Sequence, residues 1–379
     1  MIFDYETMRL IWWGLLGALL IGFAITGGFD LGVAILLPFL GKNDTERRVI
    51  INSVGATWEG NQVWFVTAGG ALFAAWPVAY SVAFSGFYFA LLLTLFALFL
   101  RPIGFDYRSK LSCQKWRNNW DIALFIGGLV PALIFGVAFG NLLAGVPFYF
   151  DNDMRIFYTG SFWALLNPFS LAAGLVSLSM LIMHGAVFLQ IKTVGDINQR
   201  CKTVVMIFAL LTLAIFAVAG IWVANIDGYR ISSEVLAHAP SNPLAKIVSK
   251  EPGLWLANYG RFPVLWLVPS LAFIAAAITI TLSKIGRPGL AFISSSLTLT
   301  SIILTAGVSM FPFLIPSSSA PNSSLTVWDA SSSLATLKIM LWVTLFFLPI
   351  VITYTSWVFR VLRGKITPEH IQQNDHTAY

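Results

Sequence analysis

The chain runs to 379 residues, of which 57% are hydrophobic and 11% charged, and it carries a net charge of +6. An ordinary soluble domain carries about 25% charged residues, so this composition excludes a soluble fold and points to an all-α, polytopic protein embedded in a lipid bilayer. The basic excess sits in short loops beside apolar stretches, where it sets orientation, and gives no support to nucleic-acid binding.

The N-terminus, Met1 to Glu6, is acidic where a signal peptide needs basic residues, so the first apolar run is expected to be retained. A spanning helix needs about 20 mainly apolar residues. Nine windows qualify, at 8–40, 51–76, 80–101, 121–144, 168–190, 203–225, 262–283, 289–312 and 336–359. Basic turns follow the first, third, fifth and seventh windows, around Lys42 to Arg48, Asp106 to Asn119, Lys192 to Lys202 and Lys284 to Arg287. With Arg360, Arg363 and Lys365 cytoplasmic, nine spans put the N-terminus in the periplasm and 16 of the 23 Lys and Arg residues inside, as the positive-inside rule asks. The chain then reads as one membrane domain over 1–379, with periplasmic loops at 226–261 and 313–335 and a cytoplasmic tail at 360–379. Pro312 and Pro316 should end the eighth helix. Trp76, Tyr80, Trp120, Trp255, Trp266 and Trp357, all near span ends, read as interfacial anchors.

Chemistry gathers in Trp58-Glu59-Gly60-Asn61-Gln62-Val63-Trp64. A carboxylate at bilayer depth costs about 2.5–3.5 kcal/mol even on insertion scales, which makes Glu59 a functional candidate. Asp30 lies about ten residues before the turn that joins the first two spans and Glu59 about ten after it, so at about 1.5 Å per residue the two acids reach similar depth on neighbouring helices. Gln62 is one turn from Glu59 on the same face. The set suits either a proton-accepting chain or a hydrogen-bonded lock between helices. Arg101 and Asp106 suit a proton entry mouth, or else a snorkelling arginine and a solvated acid. Of the four histidines only His184 lies in a span, while His238, His370 and His376 fall in a loop and the tail. A lone histidine cannot make a bis-His haem site, and no haem, metal or catalytic residue is expected on this chain. Cys113 and Cys201 stand alone, and phosphate loops, zinc motifs and nucleophile elbows are absent. These residues leave open a proton-coupled transporter, a subunit of a redox complex, or a purely structural assembly subunit.

The motifs choose among these. Leu10-Ile11-Trp12-Trp13, Gly28-Phe29-Asp30-Leu31-Gly32, Asn43-Asp44-Thr45-Glu46-Arg47-Arg48, Trp58 to Trp64, Gly69 to Pro77, Ala83 to Tyr88, Arg101-Pro102 with Phe105 to Arg108, Phe139 to Leu143 with Gly145 to Phe148, and Leu325 to Asp329 together resemble subunit II of the cytochrome bd quinol oxidases. The resemblance covers essentially the whole chain. It implies a heterodimer with a haem-bearing subunit I in the bacterial cytoplasmic (inner) membrane, oxidising quinol and reducing dioxygen to water. By the same resemblance two haems b and one haem d are ligated by subunit I, small single-span accessory subunits can attach, and subunit II holds a structural quinone. The family's proton-route acid falls on Glu59 and the tryptophan beside its dioxygen route on Trp64; Asp30, Gln62, Arg101 and Asp106, read from depth and helix face, are expected to join Glu59 in the proton route. Glu59 stands where relatives often carry Asp, Thr57 where they carry His, and Gly27 where they carry an acid.

Overall fold

The computed structural model describes residues 3–373 and 379; His376 lies outside them, and of His370 only the backbone is described. Thirteen α-helices make up the described residues: α1 Tyr5–Leu40, α2 Asp44–Gly55, α3 Trp58–Ala75, α4 Pro77–Gly86, α5 Tyr88–Tyr107, α6 Gln114–Ala144, α7 Pro168–Lys192, α8 Gly195–Val223, α9 Ala257–Arg261, α10 Leu267–Lys284, α11 Pro288–Met310, α12 Leu334–Val361 and α13 Pro368–Gln373. Three antiparallel hairpins join them, pairing β1 Phe148–Phe150 with β2 Ile156–Tyr158, β3 Asp227–Ile231 with β4 Val248–Pro252, and β5 Phe313–Ile315 with β6 Leu325–Thr326.

α1 is the axis of the bundle. The Asp4 carboxylate caps it by accepting from the Thr7 amide at 2.7 Å, and 36 residues at about 1.5 Å each carry it roughly 54 Å. It packs against α3, α6, α7 and α11. Its crossing with α7 is close because Gly32 and Gly185 face one another; a Cβ on Gly32 would lie 2.1 Å from the Leu181 carbonyl oxygen. Side chains as large as Phe29, Leu31 and Leu37 are fully buried around this crossing.

Eight helices among the described residues are long and apolar enough to cross a membrane: α1, α5, α6, α7, α8, α10, α11 and α12. The second window, 51–76, is divided. Its first residues end α2, the chain turns at Ala56 and Thr57, and α3 begins at Trp58. With 18 residues α3 spans about 27 Å, and Glu59, Asn61 and Gln62 dilute its first turns. It reaches from its junction with α2 to Ala75, whose carbonyl accepts from the Ser332 amide at 2.8 Å. The third window is likewise two helices, α4 and α5, interrupted only at Phe87.

The two ends differ in chemistry. At the end where α1 begins, Arg9 is fully buried and donates to Ser331 at 2.7 Å, to the Ala237 and Ala239 carbonyls and to Ser241, with its guanidinium 3.6 Å above the Tyr5 ring. Lys246 and Asp329 form a buried ion pair at 3.0 Å beside it. Burial pushes Asp329 up from the usual carboxylate range, against the pull of Lys246. The loops 226–261 and 313–335 are thus pinned to α1 by satisfied charges. At the other end Asp121 binds Arg108 at 2.5 Å and Arg47 at 2.8 Å, Asp44 binds Arg108 and Arg117, and Glu46 binds Arg200 at 2.7 Å. Those pairs tie α2, α6, α8 and the turn that follows α5 together. Tyr5 bonds to Ser332 at the first end, while the segment after α12 bonds to Lys192 and Thr193 at the second. The start of α1 and the segment after α12 therefore lie at opposite ends of the bundle.

Two of the expected interfacial anchors are core residues. Trp76 is fully buried at the break between α3 and α4, and Trp255 donates to the Leu143 carbonyl at 2.9 Å from beneath the β3–β4 hairpin. A tryptophan near a helix end buries itself when loops cover that end, and periodicity carries no sign of such cover.

Candidate functional site

The polar centre of the bundle lies where α1, α3 and α5 meet. Asp30 is fully buried on α1, and its Oδ2 accepts from Asn61 Nδ2 of α3 at 2.8 Å, while its Oδ1 has no protein partner. Arg101 of α5 is also fully buried, and none of its three side-chain nitrogens has a hydrogen-bond acceptor. It has room because Gly127 of α6 faces it; a Cβ there would meet Arg101 Cγ at 2.8 Å. The guanidinium lies 5.4 Å from the Trp58 ring centroid and attracts Asp30 through space without a direct hydrogen bond. Gln62 Nε2 is buried and unpartnered as well. A buried charge or amide left in this condition costs free energy unless it gains a partner, so the junction carries unmet hydrogen-bonding capacity on side chains of all three helices.

The expected pairing of the acids is revised. Asn61, not Glu59, reaches Asp30, and Glu59 is exposed in the first turn of α3. The reason is helical: at 3.6 residues per turn, residues 59 and 61 point about 200° apart, so turning Asn61 toward α1 turns Glu59 away. Arg101 does not snorkel, since it is sealed inside the bundle, while Asp106 is exposed two residues before the Arg108 network. Trp64 packs against α1 at Gly22, where a Cβ would lie 2.7 Å from its ring. Asn61 was hidden in the sequence because its partner lies 31 residues away; the GNQ run gave its type but not its direction.

His184 is a satisfied core residue. One ring nitrogen lies 2.9 Å from the Ile25 carbonyl and the other 2.7 Å from Ser295 Oγ, and the ring stacks on Phe292. Both ring nitrogens are thus engaged within the protein. Among the described residues no group of three His, Cys, Asp or Glu side chains could hold a metal.

Toward the end of the bundle where α1 begins, a cavity of about 910 Å³ opens between α1, α3, α4 and α11. Trp13, Gly17, Phe73, Tyr80, Phe84 and Met310 are among the residues of its almost wholly apolar lining.

An all-α membrane bundle with a buried acid–arginine pair at its core defines the class: a polytopic membrane protein with charged groups among its spanning helices. The chain belongs to the family of cytochrome bd terminal oxidase subunit II, whose model matches residues 8–362. It is 54% identical over 377 residues to cytochrome bd-I ubiquinol oxidase subunit 2 of Escherichia coli K12, covering 99% of this chain and 100% of that one. To cytochrome bd ubiquinol oxidase subunit 2 of Bacillus subtilis it is 31% identical, over 94% of this chain and 96% of the relative. The bd oxidase structure from Geobacillus thermodenitrificans matches with a TM-score of 0.68 over 94% of this chain and 98% of that one; at 17% identity it shows the shared fold. Membership makes this chain one subunit of a terminal oxidase, with a partner subunit I and haem in the complex, and sets the transporter reading aside.

Proposed function

We propose that this chain is the haem-free half of a quinol oxidase in the bacterial cytoplasmic membrane, with its N-terminus in the periplasm and its tail in the cytoplasm. Subunit I would hold two haems b and haem d, which would pass the electrons taken from quinol to dioxygen. This chain braces subunit I and carries protons inward through Glu59, Gln62, Arg101 and Asp30, with Asp106 at the mouth and Trp64 beside the dioxygen route. Small single-span subunits dock at the periphery.

One observation carries the reading: Asp30 and Arg101 are both fully buried, attract each other, and keep four polar atoms unpartnered by protein. A lock between helices would close such bonds directly, whereas a relay needs groups that water can reach and leave. The exposed Glu59 fits a route completed by a neighbour. A carboxylate on the outer side of α3 costs about 2.5–3.5 kcal/mol against lipid, so that side is where subunit I covers the bundle. The 910 Å³ cavity is of the size and polarity that take an isoprenoid chain, and Trp13, Phe73, Tyr80 and Phe84 would hold the structural quinone there.

A reduced-minus-oxidised visible spectrum of the chain purified alone and with subunit I tests the division of labour. Haem bands are expected only in the complex. A stoichiometric Soret band from the chain alone, lost in His184→Ala, contradicts it.

A further inference from the structure

Past α12 the chain is strapped across the α2 end of the bundle. The Ile366 amide donates to the Lys192 carbonyl at 2.8 Å, Lys192 Nζ donates to the Leu362 carbonyl, and Ile371 of α13 is buried against α2. Tyr379 then lies on the corner between α2 and α3. Asn52 holds it twice, donating to its main-chain oxygen at 3.0 Å and accepting from its amide at 3.0 Å, and Arg48 Nε donates to the same oxygen at 3.2 Å. Its ring covers Gly55, where a Cβ would come within 2.6 Å of it. From there aromatic contacts lead inward: Tyr379 to Phe105 with centroids 5.9 Å apart, Phe105 stacked on Trp58 at 5.4 Å, and Trp58 beneath the Arg101 guanidinium. Partial burial, with the nearby charges of Asp106 and Glu59, pushes the Tyr379 phenol above its ordinary range. A neutral ring therefore stands among the very acids assigned to the mouth.

We propose that Tyr379 is a positioning residue of the proton route, the outer member of an aromatic cover (Tyr379, Phe105, Trp58) that limits water's access to the buried Asp30–Arg101 pair. The proposal rests on the proton-route reading. It needs the ring and not the hydroxyl, since the bonds that hold Tyr379 are made by its main chain.

The test uses the assembled oxidase in proteoliposomes with matched haem content. Tyr379→Ala should speed proton uptake and raise deuterium exchange over residues 53–60 on the order of tenfold, as expected when amides that exchange by local opening lose their cover. Tyr379→Phe should match the unmodified protein in both. Should Tyr379→Ala fail to assemble, Asn52→Ala removes two of the three bonds holding the ring in place and gives the same reading. Unchanged uptake, a rise in exchange without a change in uptake, or a Phe variant that behaves like Ala overturns the proposal. Glu59→Gln measured in parallel separates the two ideas: a slow Glu59→Gln beside an unchanged Tyr379→Ala removes the cover and leaves the route, whereas an unchanged Glu59→Gln removes the route itself.

Discussion

Asn61 does for Asp30 what the family motif alone does not reveal. It gives a buried carboxylate its one protein hydrogen bond, at 2.8 Å, from a helix 31 residues away in sequence. Asn61→Leu keeps the volume and removes the donor. Leaving a buried acceptor unsatisfied costs about 1–3 kcal/mol, so the thermal midpoint of the purified complex should fall while Gln62→Leu, whose amide nitrogen has no partner to lose, changes it less. Equal midpoints for Asn61→Leu and the unmodified complex contradict this account of Asp30. The residue types of the site were legible in sequence, because a charge inside an apolar run announces itself. Their directions were not. Whether residue 59 or residue 61 faces α1 depends on where α3 starts, and that start is set by the turn at Ala56 and Thr57 just past Gly55, inside a run whose apolar composition reads as one continuous span.

At the scale of elements, the apolar windows read from the sequence correspond to real helices, since bilayer-length hydrophobic runs are the strongest signal a membrane chain carries. The signal fails where tertiary contacts cut or extend a run. α6 starts at Gln114, seven residues before its window, because Asp121 is neutralised by Arg108 and Arg47 and so is tolerated inside a helix. The three hairpins went unread, each strand being five residues or fewer. Helix spacing is fixed by small residues, and this is open to test. Gly32→Ala places a methyl 2.1 Å from the Leu181 carbonyl oxygen, a backbone atom that cannot swing aside, and forced overpacking costs about 1–3 kcal/mol. Gly69→Ala meets nothing within 4 Å. In a thermal assay of the complex Gly32→Ala should lose stability or assembly and Gly69→Ala should not; the same midpoint for both contradicts the close α1–α7 crossing.

For the whole molecule, the charges are sorted by end. Arg47, Arg108, Arg117 and Arg200 gather with Asp44, Glu46 and Asp121 at one end, and the loops 226–261 and 313–335 clamp the other through Arg9 and Lys246. Reporter fusions after Lys42, Lys110, Lys202 and Lys284 should read cytoplasmic, and fusions near Asp153, Pro240 and Asn322 periplasmic. An even number of crossings contradicts the α3 traverse and with it the placing of Glu59. The central claim is that this subunit moves protons, and proton uptake by the assembled oxidase carrying Glu59→Gln tests it most directly. Glu59→Gln keeps shape and hydrogen bonding but removes the titrating proton; Glu59→Asp keeps the proton on a side chain one methylene shorter. The account predicts full haem content in both, uptake and turnover lost in Glu59→Gln by about 10²-fold or more, as for loss of a positioned acid–base group, and retained in Glu59→Asp. A Glu59→Gln oxidase that assembles and turns over at the unmodified rate contradicts it, and leaves the buried Asp30–Arg101 junction as a lock between helices.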